Sequence, residues 1–232
     1  MPNFDIIKTN KTDLTFRVSS VIGKFDLQSN ESTEHFKGEI DLSKDWKIGL
    51  IVGKSGSGKT TIAKQLFEDF YITKFEYTDK SILDDMPEYC SVSDITNAFN
   101  SVGFSSPPSW LKPYAVLSNG QKMRVDLARA ILEKKEMFVF DEFTSVVDRN
   151  VAKIGSFAIQ KAIRKSDKKF IAVGCHYDVE DWLMPDWVFN TDTMTFHSFE
   201  GQKKNRPEIN FKIHEAANKQ IWKMFSKHHY LS

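Results

Sequence analysis

The 232-residue sequence has few cysteines, no long apolar run and almost no excess of either charge. Its two cysteines, Cys90 and Cys175, lie far apart and match no spacing of metal ligands, so we expect free thiols in a reducing compartment. No apolar run reaches the roughly 18 residues that a membrane-spanning helix needs. The first residues also lack the basic-then-apolar pattern of a signal peptide. These absences predict a cytoplasmic protein that does not itself insert into a membrane.

The charge balance is nearly even, with 32 lysines and arginines against 31 aspartates and glutamates, and the net charge is +1. Such a balance produces no overall positive field, so nucleic acid remains an open partner class without support from the charge. The apolar content of 41% is enough for a substantial core in one large domain or two small ones.

Residues 53–60 read Gly-Lys-Ser-Gly-Ser-Gly-Lys-Thr, which is the complete pattern of a phosphate-binding loop. The apolar segment 46–52 predicts a strand before the loop, and 61–67 predicts a helix after it. Glycines allow backbone N–H groups to surround a phosphate, and the start of the helix adds its own unpaired N–H groups. Lys59 then reaches the β- and γ-phosphates, and the hydroxyl of Thr60 ligates Mg²⁺. The predicted nucleotide contacts are Gly53, Ser55, Gly56, Ser57, Gly58, Lys59, Thr60 and Thr61.

Short apolar segments alternate with segments of helical spacing through the rest of the chain. We predict strands at 13–26 (one or two), 36–42, 71–77, 137–140 and 170–174, helices at 91–102, 121–132 and 151–163, and a hairpin within 187–199. Apolar strands between helices indicate an α/β fold with a mainly parallel sheet, and the early strands and the hairpin indicate an antiparallel flank. The polar residues 27–35 predict a loop, and 206–232 predicts a C-terminal strand–helix extension.

Two carboxylates, Asp141 and Glu142, directly follow the predicted strand 137–140. A carboxylate at a strand end opposite a phosphate loop holds Mg²⁺ through the water shell of the ion. We therefore predict Asp141 as a metal-binding residue. Glu142 is placed to accept a proton from the water that attacks the γ-phosphate, or to orient that water.

The segment Leu117-Ser118-Asn119-Gly120-Gln121 stands just before the predicted helix 121–132. A serine and a glycine N–H at a helix start form an anion site. The segment closely resembles the signature motif of ABC-type ATPases, Leu-Ser-Gly-Gly-Gln, with Asn119 in place of one glycine. The resemblance implies a P-loop NTPase of ABC type: an α/β fold with a mainly parallel core sheet, an antiparallel β flank and a small helical subdomain. We expect this ATPase domain to span 1–205, with the helical subdomain at about 80–132.

The same resemblance assigns roles to two further residues. Asp148 matches the aspartate of the family's D-loop, and His176, which follows the strand 170–174, matches its switch histidine. His176 would contact the γ-phosphate and steady the attacking water, so the implied catalytic residues are Lys59, Glu142 and His176.

Two family elements are altered in this chain. The glutamine of the Q-loop is missing from 77–85, so Asp79 or Lys80 stands in its place. The adenine-stacking aromatic of the family lies at the end of an early strand. Phe25 is the best match for it and Phe16 the next.

The segments 101–108, 141–149, 175–179 and 185–188 resemble those of soluble ABC-type ATPases from bacteria and phages, several of which carry an acetyltransferase-like domain after the ATPase. The resemblance implies ATP and Mg²⁺ as ligands and an ATP-dependent head-to-tail homodimer, in which a second copy supplies Ser118, Asn119 and Gly120. The protein partner of such a dimer is unknown, and the preference for ATP over GTP rests on the resemblance. Three alternatives remain: the nucleotide-binding subunit of a membrane ABC transporter, a DNA-associated ATPase, and a nucleotide-gated regulator with little turnover.

Overall fold

The computed structural model describes residues 3–27 and 30–199. The chain divides into two units, 1–200 and 201–232. The second unit lies outside the described residues, and so does the predicted extension 206–232. The domain boundaries therefore stay a prediction.

The described part of the chain contains eight β-strands and seven α-helices. In chain order they are β1 (Asn3–Lys11), α1 (Phe16–Phe25), β2 (Glu31–Glu39), β3 (Ile48–Val52), α2 (Lys59–Phe67), β4 (Tyr71–Ile72), α3 (Val92–Ser101), α4 (Pro107–Trp110), α5 (Asn119–Leu132), β5 (Met137–Phe140), α6 (Arg149–Arg164), β6 (Lys169–Gly174), α7 (Val179–Leu183), β7 (Trp187–Asn190) and β8 (Thr195–Ser198). Strand β4 has only two residues.

The strands form two sheets. Strands β1 and β2 make an antiparallel pair, and the other six form a sheet in the order β4-β5-β6-β3-β7-β8. The larger sheet is parallel except for β8, which pairs antiparallel with β7. The predicted α/β class, parallel core and antiparallel flank are thus confirmed.

The central strand β3 shows why this sheet forms where it does. All five of its residues are buried, which is typical of a parallel strand covered on both faces. Ile48 and Leu50 belong to one apolar cluster and Ile51 to a second, because successive side chains of a strand point to opposite faces. Gly49 lacks a side chain for a packing reason: a Cβ there would lie 2.1 Å from the ring of Trp187.

The two apolar clusters are covered by different elements. Helices α3, α5 and α6 supply side chains such as Phe99, Val125 and Ile159 to the first cluster. Helix α2 and the β1–β2 pair cover the other face through Ile62 and Phe36. Burial of each such side chain stabilises the fold by ~1.5–3 kcal/mol.

The prediction of strands at 13–26 is wrong, because this segment contains helix α1. The side chain of Thr15 accepts a hydrogen bond from the N–H of Val18 and caps the helix, and Asp26 ends it in a left-handed conformation. The β-branched and aromatic residues suggested a strand, but in this segment the capped helix is the more stable local structure.

Three other boundaries are also corrected. Strand β2 begins at Glu31, inside the predicted loop 27–35, and ends at Glu39 rather than at residue 42. It pairs along its whole length with β1, a strand that the sequence analysis missed. Strand β4 contains only Tyr71–Ile72 rather than 71–77, because the chain leaves the sheet edge after two residues of pairing with β5.

Candidate functional site

Parallel strands bring the predicted motifs to one edge of the sheet. The phosphate loop follows β3, Asp141 follows β5, and His176 lies two residues after β6. The strand register pairs Val52 with Gly174 and Phe140 with Ala172, so these strand ends are adjacent. The carboxyl edge of a parallel sheet is where ligands bind in open α/β folds.

The phosphate loop has the backbone that its glycines allow. Gly56 and Gly58 have φ values of 82° and 84°, in the left-handed region that favours glycine. A Cβ on Gly58 would also lie 2.4 Å from the ring of Phe36, so strand β2 packs directly against the loop. Within the described residues no side chain caps the start of α2. Its first N–H groups are therefore available to an anion.

Lys59 is held against the loop that it follows. Its side chain is 7% exposed, and its Nζ donates to the carbonyl oxygen of Lys54 at 2.6 Å. The hydroxyl of Ser57 donates to the same carbonyl at 2.8 Å. The N–H of Lys54 donates to Oδ1 of Asp192 at 2.9 Å, so the end of β7 also supports the loop. Sequence reasoning missed Asp192, since no local pattern ties it to residues 53–60.

The hydroxyl of Thr60 and the carboxylate of Asp141 are in direct contact. Thr60 Oγ1 donates to Asp141 Oδ2 at 2.7 Å, and the N–H of Glu142 donates to Asp141 Oδ1 at 2.8 Å. Tyr71 also donates its hydroxyl hydrogen to Asp141 Oδ2. Burial, followed by the hydrogen bond with Asp141, raises the pKa of Tyr71 well above its ordinary value, which keeps this hydroxyl a donor.

These oxygens fit the ion that the sequence predicted. A hydroxyl and a carboxylate oxygen only 2.7 Å apart are hard donors of the kind that Mg²⁺ prefers. Mg²⁺ usually takes one or two such protein ligands and completes its shell with water and phosphate oxygens. Accordingly, the described residues contain no cluster of three or more His, Cys, Asp or Glu side chains that would enclose an ion by itself.

Glu142 is exposed and has an unusual backbone. Its φ is 52°, and Thr144, two residues later, has φ 68°. Between them, the N–H of Phe143 donates to the carbonyl of Val173 at 2.8 Å, and the ring of Phe143 is buried. The anchored Phe143 thus fixes the turn that presents Glu142 at the sheet edge. Strained backbone of this kind is concentrated at functional sites.

The signature segment forms the start of α5. Ser118 Oγ accepts from the N–H of Gln121, and Gln121 Oε1 accepts from the N–H of Ser118, which is a capping box. Asn119 Nδ2 donates to the carbonyl of Val146 at 3.4 Å, which joins this helix start to residues 144–148, the segment that resembles the D-loop. Ser118 and Asn119 are both exposed. Among the described residues, none of their hydrogen bonds goes to the phosphate loop.

Asp148 caps helix α6. Its Oδ1 accepts from the N–H groups of Asn150 and Val151, each at 3.0 Å. A structural role of Asp148 is therefore visible, and its predicted nucleotide contact stays a prediction.

His176 is followed by two residues that hydrogen bonds tether to other parts of the chain. Its neighbour Tyr177 donates to Asp192, the same residue that supports the phosphate loop. Asp178 accepts two hydrogen bonds from Arg149, which directly follows Asp148. The hydrogen bond from Arg149 lowers the pKa of Asp178 below its ordinary value. His176 itself is half-buried, and within residues 3–27 and 30–199 no hydrogen bond joins it to a proposed catalytic group, so its role stays a prediction.

The structure changes the positions expected for the Q-loop and for the stacking aromatic. Strand β4 ends at Ile72 beside Phe140, so Thr73 and Lys74, rather than Asp79 or Lys80, follow the strand. Phe25 lies on α1 and not at a strand end, which removes the basis on which it was chosen. Its side chain is 64% exposed, and Phe16 on the same helix is also exposed.

Comparison with known proteins agrees with this geometry. A family model described as ABC transporter matches residues 72–145, a range that contains the signature segment and the Asp141–Glu142 pair. The chain is 28% identical over 178 residues to the probable peptide export ATP-binding protein YydI of Bacillus subtilis, covering 66% of this chain and 82% of that protein. It is 29% identical over 122 residues to the mRNA export factor elf1 of Schizosaccharomyces pombe, covering 42% of this chain and 11% of that protein.

The chain spans only 4% to 11% of the length of four of the curated relatives that it matches. Among solved structures, the dimeric structure of MJ0796, a bacterial ABC transporter cassette, aligns with a TM-score of 0.52 and 15% identity. The alignment covers 68% of this chain and 87% of that chain. Identity this low supports the fold alone.

The described residues contain no helix that is both long and apolar enough to cross a bilayer. The family match over residues 72–145, the shared fold and the motifs gathered at one sheet edge all support an ABC-type nucleotide-binding domain with the P-loop fold in this chain.

Proposed function

We propose that this chain binds ATP with Mg²⁺ and hydrolyses it at a site completed by a second copy of the chain. The observation that carries the proposal is the 2.7 Å contact between Thr60 of the phosphate loop and Asp141 of the neighbouring strand end. This contact unites a phosphate-binding group with a metal-binding carboxylate, which is the pairing that phosphoryl transfer from a nucleotide requires.

Each residue then has a defined task. The loop N–H groups and Lys59 bind the β- and γ-phosphates, and the carbonyl of Lys54 gives up its bond to Lys59 when phosphate oxygens arrive. Thr60 and Asp141 would hold Mg²⁺, which would supply positive charge against the negative charge on the phosphates. Glu142 accepts the proton of the water that attacks the γ-phosphorus, and the bond from that phosphorus to the β–γ bridging oxygen breaks to leave ADP and phosphate. His176 orients the attacking water.

A second copy supplies the opposite wall of the site. Ser118 and Asn119 are exposed at the start of α5, where N–H groups suit a phosphate. A two-fold arrangement places each signature segment against the phosphate loop of the partner and completes two sites at once. The match to a dimeric cassette supports this arrangement. Asp148 accepts a hydrogen bond from the N–H of Val151, and the side chain of Val151 would lie 2.8 Å from a Cβ on Gly120, so Asp148 lies near the signature segment of its own copy.

Replacing Lys59 tests the nucleotide site. We expect Lys59→Ala to weaken ATP binding about 10- to 100-fold, because a charged hydrogen-bond donor to phosphate contributes ~1.5–3 kcal/mol. Lys54→Ala is the matched control: it removes an exposed lysine from the same loop and should bind ATP like the unchanged chain. Isothermal titration with ATP and Mg²⁺ makes the comparison. Equal affinities for both variants would contradict the assignment of the phosphate loop.

A transporter role is the second candidate, and the similarity to a probable peptide export ATP-binding protein favours it. In that case the chain would sit at the cytoplasmic face of a membrane through a membrane-spanning partner. Fractionation of the native host separates the two candidates, since a transporter subunit pellets with membranes and a free cytoplasmic ATPase does not. A DNA-associated role would instead raise the ATPase rate when DNA is added.

A further inference from the structure

Three hydrogen bonds reach the carboxylate of Asp141, and one of them comes from a residue with no assigned role. Oδ2 accepts from Thr60 and from the hydroxyl of Tyr71, and Oδ1 accepts from the N–H of Glu142. Tyr71 reaches Asp141 from the next strand, since β4 lies beside β5 with Tyr71 opposite Val139.

The three donors differ in what else they would do when the site is loaded. The hydroxyl of Thr60 would ligate Mg²⁺ through a lone pair of its oxygen, and its hydrogen could still donate to Asp141. Tyr71 donates to Oδ2 and the N–H of Glu142 donates to Oδ1, and neither has a second task at the ion. A carboxylate held by one oxygen rotates about its Cβ–Cγ bond, whereas one held at both oxygens keeps its plane.

The ring of Tyr71 is well placed to keep this bond. It is half-buried, and Nζ of Lys64 on α2 lies 5.1 Å from the ring centroid. The strand pairing fixes its backbone from the other side. The chain has no glutamine between 71 and 85 that would contact the metal from this strand.

We propose that Tyr71 is a positioning residue, which holds the carboxylate of Asp141 in the orientation that receives Mg²⁺. This inference rests on the proposed function, because it assumes that the site takes a nucleotide with Mg²⁺. Tyr71 acts through Asp141 and does not touch the nucleotide. Its removal therefore affects the metal requirement and leaves metal-free nucleotide binding alone.

The test compares Tyr71→Phe with Tyr77→Phe. Both variants lose a phenol-to-aspartate hydrogen bond, because Tyr77 donates to Asp126 at 2.7 Å, and both keep the aromatic ring. Binding of a fluorescent ATP analogue is measured in EDTA and again during a Mg²⁺ titration. We expect Tyr71→Phe to raise the Mg²⁺ concentration at half-saturation about tenfold, the effect of losing one hydrogen bond to a charged group. Its affinity for the analogue in EDTA should stay unchanged, and Tyr77→Phe should change neither value.

A double-mutant comparison tests whether Tyr71 acts through Asp141. In an Asp141→Asn background, Tyr71→Phe should have no further effect on the Mg²⁺ titration. An equal effect in both backgrounds would overturn the proposal. If the phenylalanine variant does not fold, Tyr71→Leu on the same edge strand replaces it in both backgrounds.

The outcomes separate this inference from the proposed function. If the unchanged chain binds the analogue without any effect of Mg²⁺, the proposed function is wrong. If the unchanged chain depends on Mg²⁺ and Tyr71→Phe has the same titration curve, the function stands and the role of Tyr71 is overturned.

Discussion

At the scale of single residues, the carboxyl edge of the sheet combines ordinary side chains with unusual backbone. Lys59, Thr60 and Asp141 are not among the residues with positive φ. Lys59 donates to the carbonyl of Lys54 in its own loop, and Thr60 donates to Asp141 across the edge. Glu142 instead has φ 52°, which an L-residue adopts at a cost of ~1–2 kcal/mol. The chain thus accepts strain at the residue that we propose to accept the proton of water.

This strain predicts an unusual order of stabilities at position 142. Glu142→Gly should be more stable than Glu142→Ala by about 1 kcal/mol, because glycine adopts positive φ without strain. Lys153 is the matched control, since it is exposed in the interior of α6. There the order should reverse, with Ala more stable than Gly by about 1 kcal/mol. Urea denaturation of the four variants measures both differences. The same order at both positions would contradict the strained backbone of Glu142.

Single residues also show what local sequence does and does not reveal. The placement of Lys59, Thr60 and Asp141 at one sheet edge was predictable, because each stands in a contiguous motif beside an apolar strand. That of Tyr71 and Asp192 was not. Their contacts with Asp141 and with the loop depend on which strands are neighbours in the sheet, and a linear pattern does not contain that order.

At the scale of elements, the short segment after β6 is hydrogen-bonded to two neighbouring parts of the fold. Tyr177 is bonded through Asp192 to the phosphate loop, and Asp178 is bonded to Arg149 at the start of α6. The guanidinium of Arg149 also lies 4.8 Å from the ring of Trp182. His176 lies next to both tethers, so its position depends on them.

Breaking the contact between Arg149 and Asp178 should lower the ATPase turnover rate while changing the free energy of unfolding little. Arg149→Ala is expected to lower kcat about tenfold, because a misplaced His176 no longer orients water. Arg164→Ala is the matched control, since Arg164 makes a similar ion pair with Asp186 at the other end of the same helix. Both variants should lose about 1 kcal/mol or less of unfolding free energy, as exposed ion pairs usually do. Steady-state ATPase assays and denaturation give the two quantities. If kcat falls equally in both variants, the tether does not position His176.

Some helices and strands could be predicted from the sequence, and others could not. The long amphipathic helices α5 and α6 were predicted because apolar residues recur at helical spacing, and Ser118 before α5 also suits a helix start. Helix α1 was misread, although Val18, Val21, Ile22 and Phe25 have the spacing of one helical face. The high content of strand-forming residues outweighed that spacing. Strand β1 was missed because its mostly exposed residues leave little apolar signal.

At the scale of the whole molecule, the order of strands explains why distant motifs form one site. Strand β3 lies between β6 and β7, and β5 lies beyond β6, so the loop, Asp141 and His176 share an edge. The α/β class and the parallel sheet were predictable from the alternation of apolar strands and helices. The order of the strands, and hence the contacts across the edge, was not.

The composite site makes the second copy part of the chemistry. With the signature segment exposed at the start of α5, the proposed reaction requires two chains, and ATP binds them together. A variant that binds ATP without hydrolysing it should therefore accumulate as a dimer. Glu142→Gln is such a variant, since the amide cannot accept the proton of water yet keeps the shape of the side chain.

The most direct test is the mass of Glu142→Gln measured by light scattering with and without saturating ATP and Mg²⁺. A site shared by two chains predicts a mass of 26.7 kDa without nucleotide and twice that mass with it. Adding Lys59→Ala, which weakens ATP binding, or Ser118→Arg, which blocks the signature segment, should return the chain to the single mass. A chain that holds ATP and Mg²⁺ at saturation and keeps the mass of one copy would contradict the two-chain site.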